Sequence, residues 1–222
     1  MSPRSEGTNR RLRASSQERI LTAALEVFAE QGYENATISQ ITERAAVSRG
    51  LISYYFATKR DLLQAILGRW LDGLLTLLDD LDADAAPDDL LAAVIDRTLV
   101  GASAHLGTQR LVLCLMLQPG TREVYARVEQ ERADAMVAFE NRLRAIFAAR
   151  GSADPAVEEV LLRSLIEGVL FKLAVYEETY PLDAMRTRLY ALYGLGEPAP
   201  LALPEHVFTK TGRLRAPVDR AR

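Results

Sequence analysis

The chain has little of what most site chemistry needs. Of its 222 residues one is cysteine, Cys114, and two are histidine, His105 and His206. A single cysteine closes no intrachain disulfide, which excludes a secreted disulfide scaffold and points to a reducing compartment. No H-E-x-x-H, G-x-S-x-G, P-loop or G-x-G-x-x-G pattern occurs. Zinc hydrolysis, nucleophile-elbow chemistry and nucleotide cradling therefore have no signature here. We expect no catalytic residue, no metal and no cofactor. The longest apolar run, residues 111–117, has seven residues, against the roughly 18 or more that a membrane span needs. Residues 1–17 are polar, with Arg4, Arg10, Arg11 and Arg13, and lack the apolar segment of a signal peptide. The expectation is a soluble, cytoplasmic protein with no membrane partner.

What is present is a core and an uneven charge. Hydrophobic residues make up 49% and charged residues 26%, enough to exclude disorder by composition. The net charge of −3 conceals a division: residues 1–60 hold nine Lys/Arg and six Asp/Glu, net +3, and residues 61–222 hold 18 and 24, net −6. A basic head on an acidic body points to a polyanion-binding module joined to something else.

Helical periodicity runs through the whole chain, and no convincing alternating strand pattern is found. The spacing predicts helices over about 16–31, 38–45, 49–55, 58–81, 88–106, 109–117, 122–149, 155–178 and 183–193, about nine in an all-α fold. Ser15 and Glu18 have capping-box spacing, and Gly32 sits where a C-terminal glycine belongs. Thr37 with Gln40, Ser48, and Thr58 with Asp61 open the next three helices. Pro119-Gly120 reads as a stop, and Asp154-Pro155 as a cap with a first-turn proline. The stretch 79–89, with six aspartates and Pro87, reads as a solvated connection.

Two of these helices are short, capped, and joined by the tight turn Ala46-Val47-Ser48, which gives helix-turn-helix dimensions. Ile52 and Phe56 are apolar anchors one turn apart. The opposite face offers Arg49, Gly50, Ser53 and Tyr54, small or polar groups suited to a DNA groove. Gly50 permits close backbone approach. Lys59 and the backbone N–H groups at the start of the fourth helix fit phosphate contacts. The organisation expected is a basic flexible arm (1–15), a helix-turn-helix DNA-binding domain (16–62), a helical body (63–195) and a Pro-rich tail (196–222).

The run from Gly32 to Leu63, G-Y-E-N-A-T-I-S-Q-I-T-E-R-A-A-V-S-R-G-L-I-S-Y-Y-F-A-T-K-R-D-L-L, resembles the N-terminal domain of TetR-family transcriptional regulators. Residues matching the family run are Gly32, Thr37, Ile38, Ile41, Ala45, Val47, Ser48, Gly50, Ile52, Tyr55, Phe56, Lys59 and Leu62. The resemblance covers about 50 residues. Ala46 stands where glycine is common, Thr42 where alanine is usual, Leu51 for threonine and Ser53 for tyrosine. The last two changes alter the DNA-facing surface, so no relative's operator carries over. The run 50–56 is similar to the branch typified by the betaine/choline-pathway repressors. The resemblance implies that Thr37 caps its helix and touches phosphate, and that Arg49 reaches a base edge or phosphate. It implies that Gly50 lies against DNA, Leu51 meets a thymine methyl, Ser53 and Tyr54 face bases or backbone, and Tyr55 and Lys59 hold phosphates. Ser48, the cap of the third helix, belongs to the same set. Arg10, Arg11 and Arg13 either enter a flanking minor groove or add nonspecific attraction; a solubilising tail is the alternative.

For the body the resemblance implies an effector pocket and a homodimer interface. Pocket candidates are Trp70, His105, Cys114, Met116, Phe139, Glu167, Phe171 and Tyr176, each of which also reads as core. Cys114, in an apolar run, is expected to be inert. Interface candidates are Leu161, Leu165, Val169 and Leu173 on the helix 155–178, with Leu189 and Leu192 on the last one. Packing inside one chain accounts for the same stripes. The function expected is a homodimeric repressor that leaves a pseudo-palindromic double-stranded operator when a small-molecule effector of unknown identity binds. One short recognition helix reads few bases, so two must fall about 34–36 Å apart. The alternatives are a regulator without a small-molecule effector and an all-helical enzyme with a vestigial head.

Overall fold

A computed structural model describes residues 6–82 and 84–200, with side chains from Arg13 onward. Among these residues there are ten α-helices, one 3-10 turn and no strand. The helices are α1 (Glu6–Gln31), α2 (Ile38–Ala45), α3 (Arg49–Tyr55), α4 (Lys59–Leu75), α5 (Pro87–Ala104), α6 (Leu106–Leu117), α7 (Pro119–Glu131), α8 (Ala133–Ala149), α9 (Pro155–Tyr176) and α10 (Leu182–Leu192). The all-α fold with an N-terminal helix-turn-helix is as expected, with one helix more than the sequence spacing gives. His206 and the tail beyond Pro200 lie outside the described residues. The chain divides into two compact units, Met1–Leu71 with Leu111–Gln130, and Asp72–Arg110 with Glu131–Arg222.

In the first unit α1 buries Ile20, Ala24, Val27 and Phe28, the stripe that the periodicity picks out. They share the unit's interior with Ile41 and Ala45 of α2, Ile52 of α3, and Leu62 and Leu63 of α4. Each of the larger side chains, isoleucine, leucine, valine or phenylalanine, contributes about 1.5–3 kcal/mol on burial. The first helix starts at Glu6 rather than at residue 16. A capping pair works only where the chain before it leaves the helix, and here the chain stays helical through Ser15. Glu18 instead pairs with Arg69 of α4 at 2.7 Å. At the other end Gly32 takes φ 78 and its N–H donates to Phe28 O at 3.0 Å, a glycine stop as the sequence suggests.

The second unit packs Leu91, Ile95 and Leu99 of α5 with Leu143, Ile146 and Phe147 of α8, Leu162 and Ile166 of α9, and Leu189 and Tyr190 of α10. Two boundaries differ from expectation where a long-range arginine contact falls. The helix expected to reach residue 81 ends at Leu75: Arg97 donates to Leu77 O at 2.9 Å and Arg142 donates to Leu78 O, satisfying carbonyls outside the helix. The acidic stretch after it is pinned, not merely solvated, by the pairs Asp79–Arg142 at 2.7 Å and Asp88–Arg150 at 2.9 Å. The single helix expected over 122–149 breaks at Arg132 (φ −117, ψ 14), whose guanidinium grips Asp72 in a fork at 2.6 and 3.1 Å. Helix α6 ends at Leu117, as expected, and Pro119 also starts α7, since proline is tolerated in a first turn where its missing N–H costs nothing. Buried Arg186 holds Asp96 at 2.6 and 2.8 Å and donates to Ala199 O at 2.7 Å.

Candidate nucleic-acid interface

Local chemistry builds the α2–turn–α3 element. The Gln40 N–H donates to Thr37 Oγ1 at 3.3 Å, and the Thr37 N–H donates to Gln40 Oε1 at 2.8 Å, closing a capping box. At the far end Ala46 adopts φ 51, ψ 49. Its N–H donates to Glu43 O at 3.1 Å, and the Val47 N–H donates to Thr42 O at 3.2 Å, the two bonds of a Schellman turn. Ser48 Oγ then accepts from the Leu51 N–H at 3.2 Å, and α3 begins. Ile52 and Phe56 are buried and fix α3 on the head. Arg49, Gly50, Ser53 and Tyr54 are exposed, as are Thr37 and Ser48, and Leu51 and Tyr55 are half-buried. Tyr54 is 67% exposed and meets Tyr55 edge to face, centroids 5.0 Å apart. A Cβ added at Gly50 would meet nothing nearer than Ser48 Oγ at 3.9 Å, so nothing inside the chain demands glycine there.

Lys59 has partners that the sequence did not point to. Its ammonium donates to the carbonyls of Tyr33 (2.7 Å), Glu34 (3.1 Å) and Ala36 (3.1 Å) and lies 4.5 Å from the centre of the Tyr33 ring. An ammonium has three N–H donors, and each has an acceptor within the chain. Burial, then the neighbouring Glu34, raises the Tyr33 hydroxyl above its ordinary value. The α4 start is boxed by Thr58 and Asp61, with the Thr58 N–H donating to Asp61 Oδ2 at 2.9 Å and the Asp61 N–H to Thr58 Oγ1 at 3.1 Å. Sequence reasoning passed over Arg19, whose Nη2 donates to Ala45 O at 2.6 Å and Ala46 O at 3.0 Å. No periodicity could have flagged an arginine reaching 26 and 27 residues along the chain. Arg13 is exposed; the side chains of Arg10 and Arg11 lie outside the described residues.

The expected pocket residues are divided between the two units. Trp70, Cys114 and Met116 belong to the first unit and the other five to the second. Trp70 faces Tyr125, ring centroids 6.5 Å apart. Phe139 is a core residue of the second unit. His105, Glu167 and Phe171 are exposed and Tyr176 is half-buried, with the Lys172 ammonium 5.5 Å from its ring. Cys114 is exposed too. Of the interface residues, Val169, Leu173 and Leu189 lie in the core of their own unit. Leu165 is half-buried. Leu161 and Leu192 are exposed, and so are Val157, Val160 and Phe171, which the interface reading omitted. Helix α9 thus has two apolar faces, and the sequence stripe crosses from the outer one at Leu161 to the inner one at Val169 and Leu173. Among the described residues no three His, Cys, Asp or Glu side chains form a metal-holding group.

Comparison with known proteins bears on the head. Residues 20–66 match the family described as bacterial regulatory proteins, tetR family. The transcriptional regulator SrpR of Pseudomonas putida is 37% identical over 82 residues, 36% of this chain and 38% of SrpR. BetI of Escherichia coli is 39% identical over 92 residues, 38% of this chain and 47% of BetI. The matched stretch thus spans less than half of either relative. The structure of SmeT in complex with triclosan superposes with a TM-score of 0.68 at 23% identity, covering 86% of this chain and 99% of that one, a likeness of fold. The helix-turn-helix and its caps lie within the stretch, residues 20–66, that is similar to the tetR family of bacterial regulatory proteins.

Proposed function

We propose that the chain acts in the cytoplasm as a homodimeric DNA-binding repressor that a small molecule releases from a pseudo-palindromic operator. The observation that carries this reading is the exposed row Arg49, Gly50, Ser53 and Tyr54, held outward by buried Ile52 and Phe56. Gly50 leaves room that the protein itself does not use, which suits close approach to a groove wall. A bidentate base contact from Arg49 is worth about 1–3 kcal/mol of discrimination. A seven-residue recognition helix reads few base pairs, so two copies are needed one DNA turn apart. The free apolar face of α9 with Leu192 of α10 supports a second copy as the partner. No covalent step is called for.

The structure of SmeT holds triclosan, and that precedent on the same fold supports an effector here. A coupling of about 1–3 kcal/mol would change operator affinity 5–150-fold. A regulator without a small-molecule effector is the second reading. It is favoured by two recesses, one of about 390 Å³ beside Leu117, Pro119 and Arg122 and one of about 500 Å³ beside Leu77, Asp96 and Arg97, both open to solvent. The test is Arg49→Ala with Tyr54→Ala, assayed on duplex DNA selected from a random pool by the wild-type chain. We expect at least a hundredfold loss of binding with the dimer intact in sedimentation; undiminished binding would end the reading.

A further inference from the structure

The turn between α2 and α3 contains a conformation that its own sequence disfavours. Ala46 sits at φ 51, ψ 49, the left-handed region that an L-residue with a Cβ enters at a cost of about 1–2 kcal/mol and that glycine enters freely. The two carbonyls bracketing this residue, Ala45 O and Ala46 O, both accept from one atom, Arg19 Nη2, at 2.6 and 3.0 Å. Arg19 stands on α1, outside the helix-turn-helix pair. Carbonyls at a helix C-terminus lack partners inside the helix, and a cation there also meets the negative end of the helix dipole. The clamp therefore falls on the carbonyls that appear when Ala46 turns left-handed.

We propose that Arg19 is a positioning residue for α3: by clamping Ala45 O and Ala46 O it holds Ala46 in the left-handed state and so fixes the direction in which the recognition helix leaves α2. The inference rests on the DNA-binding reading for its consequence, while the clamp itself is independent of DNA. Without Arg19 the alanine relaxes from the strained state in a fraction of molecules, the Val47 N–H opens from Thr42 O, and apparent affinity falls by the fraction no longer competent. Glycine at position 46 would hold the turn without help, so Ala46→Gly substitutes for the missing clamp. A direct phosphate contact by Arg19 would behave differently, because it would carry its own share of the salt dependence.

The experiment uses the full chain as wild type, Arg19→Met, Ala46→Gly and the double variant. Two quantities are read: amide hydrogen exchange at Val47 and affinity across a salt series for a duplex selected from a random pool by the wild type. Arg19→Met should speed Val47 exchange about fivefold, the factor that corresponds to a left-handed penalty of about 1 kcal/mol. Duplex affinity should fall several-fold with the slope of log K against log salt unchanged. The double variant should return both quantities to within about twofold of wild type. A slope smaller by about 0.9 would make Arg19 a phosphate contact and overturn the proposal. Unchanged Val47 exchange, or no recovery in the double variant, would also overturn it. Should Arg19→Met fold poorly, recovery of the melting temperature in the double variant reads the clamp, since glycine keeps the turn, and a double variant that folds as poorly would overturn it. If the wild type selects no duplex, the DNA-binding reading falls and the Val47 measurement decides the clamp alone.

Discussion

Ala46 shows how much a single backbone dihedral settles. Its left-handed φ of 51 is where the family run has glycine, and the helix-turn-helix keeps its shape nonetheless. We expect Ala46→Gly to raise stability by roughly 0.5–1 kcal/mol in urea unfolding, because relief of the Cβ clash exceeds the added chain entropy of glycine. Tyr193 is the counterpart in the second unit. Burial first, then Glu158, pushes its hydroxyl up to about 12, and Tyr33, Tyr180 and Tyr190 are raised as well, each first by burial. A raised folded pKa favours the neutral phenol, so the stabilisation is intact below the unfolded value of about 10 and is lost as pH climbs toward 12. Tyr193→Phe should leave the melting temperature at pH 7 nearly unchanged and flatten its fall between pH 10 and 12. A fall as steep as in wild type would remove Tyr193 as a cause.

At the scale of the element, α2 is held at both ends by side chains that are not its own. Lys59 of α4 satisfies the carbonyls before it and Arg19 of α1 those after it. Its N-terminus depends on Thr37 and Gln40, and Thr37→Ala should cost about 1 kcal/mol, read as an earlier thermal transition with folding otherwise intact. The boundaries of α2 and α3 were legible from sequence because caps and turns join atoms three to five residues apart. The end of α4 and the break between α7 and α8 were not. Arg142 reaches Leu78 and Arg132 reaches Asp72 across 64 and 60 residues, and helix propensity near residue 132 contains no trace of that grip.

For the whole molecule the deciding feature is the second apolar face of α9. Val157, Val160, Leu161 and Phe171 are exposed in the protomer, while Leu162, Ile166, Val169 and Leu173 fill the core. A charge placed on the outer face should not disturb folding. Phe171→Glu is expected to keep the helical circular-dichroism spectrum and melting temperature, halve the mass in sedimentation, and abolish duplex binding, since one recognition helix reads too little sequence alone. A variant that remained dimeric would move the interface elsewhere. The charge division belongs to this scale as well. The basic excess of residues 1–60 lies on the segment that carries the recognition helix, and the acidic excess of the rest would repel DNA and orient its approach.

The sequence by itself determined the helical class, the capped α2 and α3, the tight turn between them, and the outward row of Arg49, Gly50, Ser53 and Tyr54. These rest on interactions within one or two helical turns, where residue type and spacing are sufficient. Tertiary structure alone decided that Lys59 points inward to three carbonyls, that Arg19 grips the turn, and that Val169, Leu173 and Leu189 are core. It also decided that the candidate pocket residues fall into separate units. A 3.6-residue period shows that a helix has an apolar face, but on a helix with two such faces only the packing of its neighbours settles which one is buried.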